Sequence, residues 1–146
     1  MNNDEEAASQ RTWTEPIPVF DGGFYEGQIS EEGAFNGHGI LIDEVTNEVT
    51  EGTWYKSELS GYGRKIQIGD KLLEGEFKDG LLHGLASVFY TDGSKYQGEF
   101  KRDKRDGRGT EKYADGSSYN GEYKDGEYHG YGTRVWPDGN QYEGHW

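Results

Sequence analysis

The chain has 146 residues, no cysteine, and 28 acidic against 15 basic side chains, a formal net charge of −13. Disulfide and thiolate chemistry are thereby excluded. Nucleic acid and anionic bilayers, which reward clustered Lys and Arg, are disfavoured as partners. Leu, Ile, Val and Phe supply only 24 residues, a share that with this charge reads as disordered unless the 21 aromatic rings build the core instead. No apolar run approaches the roughly 18–20 residues of a membrane-spanning helix.

Met1 to Gln10 is polar and acidic and lacks a signal-peptide core, so a cytoplasmic chain is expected. Residues 1–20 are expected to form an N-terminal tail. Its Trp13 to Phe20 segment, interrupted by Pro16 and Pro18, either caps the first strand or stays loose. Residues 1–95 carry 7 basic and 18 acidic groups and residues 96–146 carry 8 and 10, so a basic partner is favoured, most of all by the N-terminal part.

From residue 21 a pattern takes over. Tyr-x-Gly-x-aromatic, or a variant of it, starts at Tyr25, Thr50, Leu73, Tyr96, Tyr119 and Tyr142, and the last five starts are 23 residues apart. A fixed period of this size means stacked units, each too small to bury a core alone. In the unit Tyr119 to Gln141, strand alternation puts Tyr119, Gly121 and Tyr123 on one face and Asn120 and Glu122 on the other. Lys124-Asp125-Gly126 then turns the chain. Gly130-Tyr131-Gly132 leads into Thr133 to Trp136, with Gly130, Gly132 and Trp136 assigned to the ring face. Asp138-Gly139 turns again towards Tyr142.

Each unit is therefore a β-hairpin, and the fold expected is all-β: an elongated, single-layer antiparallel sheet. Two strands per unit and one for the sixth give about eleven strands and a sheet about 50 Å long. First positions hold Tyr25, Thr50, Leu73, Tyr96, Tyr119 and Tyr142, and fifth positions hold Ile29, Trp54, Phe77, Phe100, Tyr123 and Trp146. Second strands add Gln67, Tyr90, Tyr113 and Trp136.

The array resembles the MORN repeat (membrane occupation and recognition nexus), whose pattern runs close to Tyr-Glu-Gly-Glu-Trp-x-x-Gly-x-x-His-Gly-x-Gly. The match is close in Tyr119 to Gly132 and good in Tyr96 to Gly109. Leu73 to Ala86 keeps Gly75, Phe77, Gly80, His83 and Gly84. Thr50 to Gly63 retains Gly52, Trp54, Gly61 and Gly63, and Tyr25 to Gly39 carries one inserted residue. The array is expected over residues 21–146, as five repeats and a truncated sixth. The sixth ends at Trp146 after one strand, which reads either as a truncation point or as an open edge for end-to-end pairing of two copies. The resemblance implies a cytoskeletal or ciliary (flagellar) setting.

No catalytic constellation is suggested, and neither cofactor nor metal is expected. His83 and His129 share a repeat position with Asp106 between them, but equivalent positions lie two strands, about 9–10 Å, apart. Gly-x-Gly at Gly37, Gly61, Gly107 and Gly130 follows the repeat and lacks the helix that a phosphate loop needs. Lys101, Arg102, Lys104, Arg105, Arg108 and Lys112 form the one basic cluster, interleaved with Asp103, Asp106 and Glu111, and read as a solvated loop. Glu26, Glu51, Glu74, Glu76, Glu99, Glu122 and Glu143 read as the solvating face of the sheet.

One layer has two faces, so the ring face is expected to stand exposed and to bind. The function expected is a non-catalytic scaffold that docks an extended or helical, basic or amphipathic partner segment. Tyr96, Phe100, Tyr113, Tyr119, Tyr123, Trp136, Tyr142 and Trp146 are the expected anchors, since large rings dominate interface energy. Two other readings come from the family: the N-terminal regulatory module of a SET-domain methyltransferase or phosphatidylinositol-phosphate kinase, and a phospholipid-binding module.

Overall fold

The computed structural model describes residues 12–19 and 22–146. The acidic segment 1–11, expected as a tail, lies outside the described residues, as do Phe20 and Asp21. Among the described residues there is no helix, and all thirteen strands belong to one sheet.

The strands are β1 (Thr12–Trp13), β2 (Ile17–Pro18), β3 (Gly23–Ile29), β4 (Phe35–Asp43), β5 (Glu48–Tyr55), β6 (Glu58–Gln67) and β7 (Lys71–Lys78). There follow β8 (Leu81–Tyr90), β9 (Lys95–Lys101), β10 (Lys104–Lys112), β11 (Ser118–Lys124), β12 (Glu127–Val135) and β13 (Gln141–His145). From β3 to β13 each strand pairs antiparallel with the next, an eleven-strand meander as the repeat requires. The sheet also reaches upstream of residue 21. Thr12 and Trp13 pair with Ile29 and Gln28, and Ile17 and Pro18 pair with Tyr25 and Phe24, so β1 and β2 share the outer edge of β3.

Two kinds of turn alternate. Within units the chain reverses through residue pairs with left-handed backbone: Lys56–Ser57, Asp79–Gly80, Arg102–Asp103 and Asp125–Gly126. Two successive positive φ values match the right-handed twist of the flanking strands. Between later units, Asp92, Asp115 and Asp138 each accept the amide of the residue two places on (2.7, 2.8 and 3.0 Å), an Asx turn. Neighbouring units are also tied turn to turn. The amides of Ser57, Gly80, Asp103 and Gly126 donate to the carbonyls of Phe35, Leu59, Leu82 and Arg105.

Each hairpin carries an irregularity that strand alternation does not announce. Gly98 faces Gly109 and Phe100 faces Arg105, so two steps on β9 oppose four on β10. The same two-residue bulge recurs in the other four hairpins. At its apex Gly107 has φ +113°, where a Cβ would meet the Glu99 carboxylate at 2.7 Å. Gly130 (φ +56°) holds the same place above Glu122, so its missing side chain points away from the rings. Its assignment to the ring face is thus corrected. Glu99 Oε1 accepts the Arg108 amide (2.9 Å), Glu122 Oε1 that of Tyr131 (3.2 Å), and Gln28 Oε1 that of His38 (2.9 Å). These fourth-position side chains cap a bulge, where the sequence suggested only a solvating face.

The core is made by rings lying along the sheet. Tyr25, Tyr96 and Tyr119 are fully buried. Each lies over glycines; a Cβ at Gly109 would sit 2.3 Å from the Tyr96 hydroxyl. Their hydroxyls donate to the carbonyls three residues on, at Gln28 (2.8 Å), Glu99 (3.2 Å) and Glu122 (2.9 Å). The next unit then covers each ring edge-on: Trp54 on Tyr25, Tyr123 on Tyr96 and Trp146 on Tyr119. Such pairs contribute about 0.5–1.5 kcal/mol beyond burial. One layer therefore buries a core of its own.

Candidate functional site

Half of the expected anchors belong to that core. Tyr96, Phe100, Tyr119 and Tyr123 are buried within the chain, which corrects the expectation that they stand free for a partner. The reason is geometric: a ring that lies flat over glycine is covered by its neighbours within the array. Tyr113 is half-buried, and Trp136, Tyr142 and Trp146 are exposed. Tyr142 and Trp146 lie at the β13 edge, in edge-on contact with each other. The Trp146 indole donates to Gly132 O (3.3 Å).

At or just past the end of the second strand, three consecutive units place a ring that is half-buried (Tyr90, Tyr113) or exposed (Trp136), a ladder preceded by Gln67. Beside Gln67 and Tyr90 the sheet holds a groove of ≈ 380 Å³ bordered by Lys65, Lys71, Asp103 and Arg105. Leu73, Leu82 and Val88 form its floor, together with Phe100. The bases are partly engaged already. Lys65 Nζ donates to Gly80 O (2.9 Å), and Lys71 stands 3.3 Å from Asp70.

Under the ladder lies a buried polar network that sequence reasoning missed. Glu111 is the one buried carboxylate among the described residues, 5% exposed. It receives Arg105 (2.8 Å) on one oxygen, and the hydroxyls of Tyr113 (2.6 Å) and Tyr123 (3.2 Å) on the other. Arg105 also donates to the Tyr90 hydroxyl (3.1 Å) and lies over the Tyr96 ring (4.4 Å). Tyr113 shares a hydrogen bond with Tyr128, whose hydroxyl accepts from Arg134 (2.9 Å), and the Arg134 guanidinium covers the Tyr113 ring at 4.3 Å. Burial, reinforced by Glu111, pushes the Tyr113 and Tyr123 hydroxyls far above the ordinary phenol range, so both remain neutral donors.

The network was hidden because Arg105 reads as one member of a charged run. A repeat column would have exposed it, since Phe35, Leu59, Leu82 and Tyr128 occupy the same place in the other hairpins. The basic cluster is correspondingly not one patch. Arg105 turns inward, while Arg108 and Lys112 share the face opposite the rings. Lys104 pairs with Asp125 (3.3 Å) across neighbouring turns. Lys124 pairs with Asp106 (2.9 Å), which holds that carboxyl below its ordinary range.

The MORN repeat family model matches residues 74–95, 96–118 and 119–141, three consecutive units. No curated protein matches the chain. Among solved structures, the chain is similar to the TCP domain of SAS-4 (dCPAP) of Drosophila melanogaster, in complex with a proline-rich motif of Ana2 (dSTIL). Identity is 12%, coverage is 88% of this chain and 87% of that one, and the TM-score is 0.37.

Proposed function

The chain being a MORN-repeat protein, with consecutive repeats over residues 74–141, we propose that it is a non-catalytic, cytoplasmic protein-binding module. It holds an extended partner segment along the ladder Tyr90, Tyr113 and Trp136. The observation that carries this reading is the recurrence of one ring at the same place in three consecutive units, Tyr90 and Tyr113 half-buried and Trp136 exposed, with a groove beside Tyr90, while Tyr96, Phe100, Tyr119 and Tyr123 are buried. Equivalent positions lie two strands, about 9.6 Å, apart. An extended chain in the polyproline II conformation, three residues per turn at about 3.1 Å each, advances about 9.3 Å per turn. A segment running across the strands would thus present every third side chain to one ring.

A non-catalytic role is supported by the state of Glu111, whose oxygens are occupied by Arg105, Tyr113 and Tyr123. The groove itself carries Lys65, Lys71 and Arg105 against Asp103, so the acidic balance of the chain does not extend into it.

The test is capture from native lysate with wild type and a Tyr90→Ala/Trp136→Ala variant, after circular dichroism shows that both are folded. A protein retained stoichiometrically by wild type and lost from the variant supports the ladder. Equal retention by both removes it as the binding site. Tyr119 is unsuitable for this purpose, because its fully buried ring would report on folding.

A further inference from the structure

The face opposite the rings is not uniformly polar. Phe24 pairs with Ile42, Ile42 with Val49, Val49 with Ile66, Ile66 with Leu72, and Leu72 with Phe89. Direct cross-strand pairing thus aligns six apolar side chains, one from each strand of β3 to β8, in a strip about 24 Å long. Phe24 and Ile42 are each 44% exposed, Ile66 38% and Phe89 36%. At the Phe24 end, Pro16, Ile40 and Glu26 complete a shallow pit. The strip stops at β9, where Lys95 pairs with Phe89 and then with Lys112. It belongs to the first three units, and the core does not need it.

What borders the strip selects its occupant. In the adjoining row, Glu26, Ile40, Glu51, Arg64 and Glu74 follow one another across β3 to β7. Glu44 and Asp70 lie at its loop end, both exposed. Arg64, 3.9 Å from Glu51, is the single base in this border. A second copy of the chain would bring the same carboxylates against these, between molecules that each carry −13. The chain's own segment 1–11 has Asp4, Glu5 and Glu6 against Arg11, again the wrong sign.

We propose that the strip Phe24–Ile42–Val49–Ile66–Leu72–Phe89 docks an amphipathic helix of a partner protein, its apolar stripe flanked by Lys and Arg. A helix pitch of about 5.4 Å is close to the strand spacing of about 4.8 Å, so one turn meets one strand, and about 16 residues span the strip. The flanking cations then face Glu26, Glu51 and Glu74. This surface is separate from the Tyr90–Trp136 ladder and stands or falls without it.

The probe is a designed helical peptide of about 16 residues, with a leucine stripe and flanking lysines, titrated by fluorescence anisotropy against the full chain. A twin peptide carries glutamates in place of the lysines. The expected result is saturable binding of the lysine peptide that weakens with salt, with the glutamate twin at least about tenfold weaker. Ile42→Ser/Ile66→Ser, which leaves the charge unchanged, lowers the affinity about tenfold or more. Trp136→Ala leaves it unchanged. Absence of saturable binding, or equal affinity for the Ile42→Ser/Ile66→Ser variant, overturns the proposal. So does a dimer in sedimentation equilibrium that this variant dissolves, which would assign the strip to a second copy. Peptide binding that appears only after removal of residues 1–11 would assign it to the chain itself, with the same consequence.

Discussion

The guanidinium of Arg105 lies 4.4 Å above the Tyr96 ring, in the place that Phe35 takes over Tyr25 and Tyr128 takes over Tyr119, both at 3.7 Å. One hairpin thus covers its central ring with a cation where its neighbours use a ring. The cation brings Glu111 with it, at 2.8 Å and buried. In the preceding unit Val88 occupies the Glu111 position and Leu82 the Arg105 position, an apolar solution to the same packing problem.

That substitution pattern sets the first prediction. Arg105→Ala leaves Glu111 buried without its cation and should cost about 3–5 kcal/mol, the usual penalty for an orphaned buried charge. The double variant Arg105→Leu/Glu111→Val copies the preceding unit and should recover most of that loss. Urea denaturation of Arg105→Leu, Glu111→Val and the double variant gives the coupling energy. Additive losses would mean that the pair is solvated and that its burial is wrong.

A second coupling joins Tyr96 to Gly109. The unit that has Leu73 in place of tyrosine is also the one that has Ala86 in place of the glycine, and its Cβ is accommodated there. Gly109→Ala should therefore destabilise by about 1–3 kcal/mol through overpacking against the Tyr96 ring. Tyr96→Leu in the same chain should relieve that part of the cost, although it sacrifices the ring. A Gly109→Ala variant as stable as wild type would show that the ring does not lie flat over β10.

The period, the antiparallel order and the eleven strands from β3 to β13 were legible because alternation and Asp-Gly turns are local signals. The bulge was not. Its two extra residues preserve the parity of Tyr128 and Gly132, so alternation looks unbroken across it. Missing the bulge made Glu99 and Glu122 look like solvating charges. It also placed Gly130 among the rings. Burial of Tyr96 and Tyr119 depends on rings lying flat, which spacing alone does not reveal. The strip from Phe24 to Phe89 was obscured for another reason. Its members sit beside residues of the ring face, as in Leu72-Leu73 and Phe89-Tyr90, and adjacent apolar pairs suppress the alternation that would assign them to opposite faces.

The bulge cap gives a third prediction. Glu99 Oε1 accepts the Arg108 amide at 2.9 Å, and Gln28 does the same for His38, so the cap needs an oxygen and not a charge. Glu99→Gln should then be close to neutral, while Glu99→Ala should cost about 0.5–1.5 kcal/mol. Amide exchange at Arg108 should quicken in the alanine variant and stay slow in the glutamine variant. Fast exchange in both would mean that the carboxylate holds the bulge by charge.

The buried phenols set the alkaline limit. Burial pushes the Tyr25 and Tyr96 hydroxyls up to about 12, against about 10 for tyrosine in an unfolded chain. Because the folded value is the higher one, the neutral form is favoured by folding. The resulting stability is complete below about pH 10 and is lost as pH rises towards 12. The urea midpoint should hold steady up to about pH 9 and fall beyond it, with the late part of the phenolate absorbance change arriving together with loss of the β-sheet dichroism. Tyr25→Phe/Tyr96→Phe should flatten the decline at the cost of two hydrogen bonds, to Gln28 O and Glu99 O. Full phenolate formation near pH 10 with an unchanged midpoint would place these rings at the surface and remove the core that the repeats build.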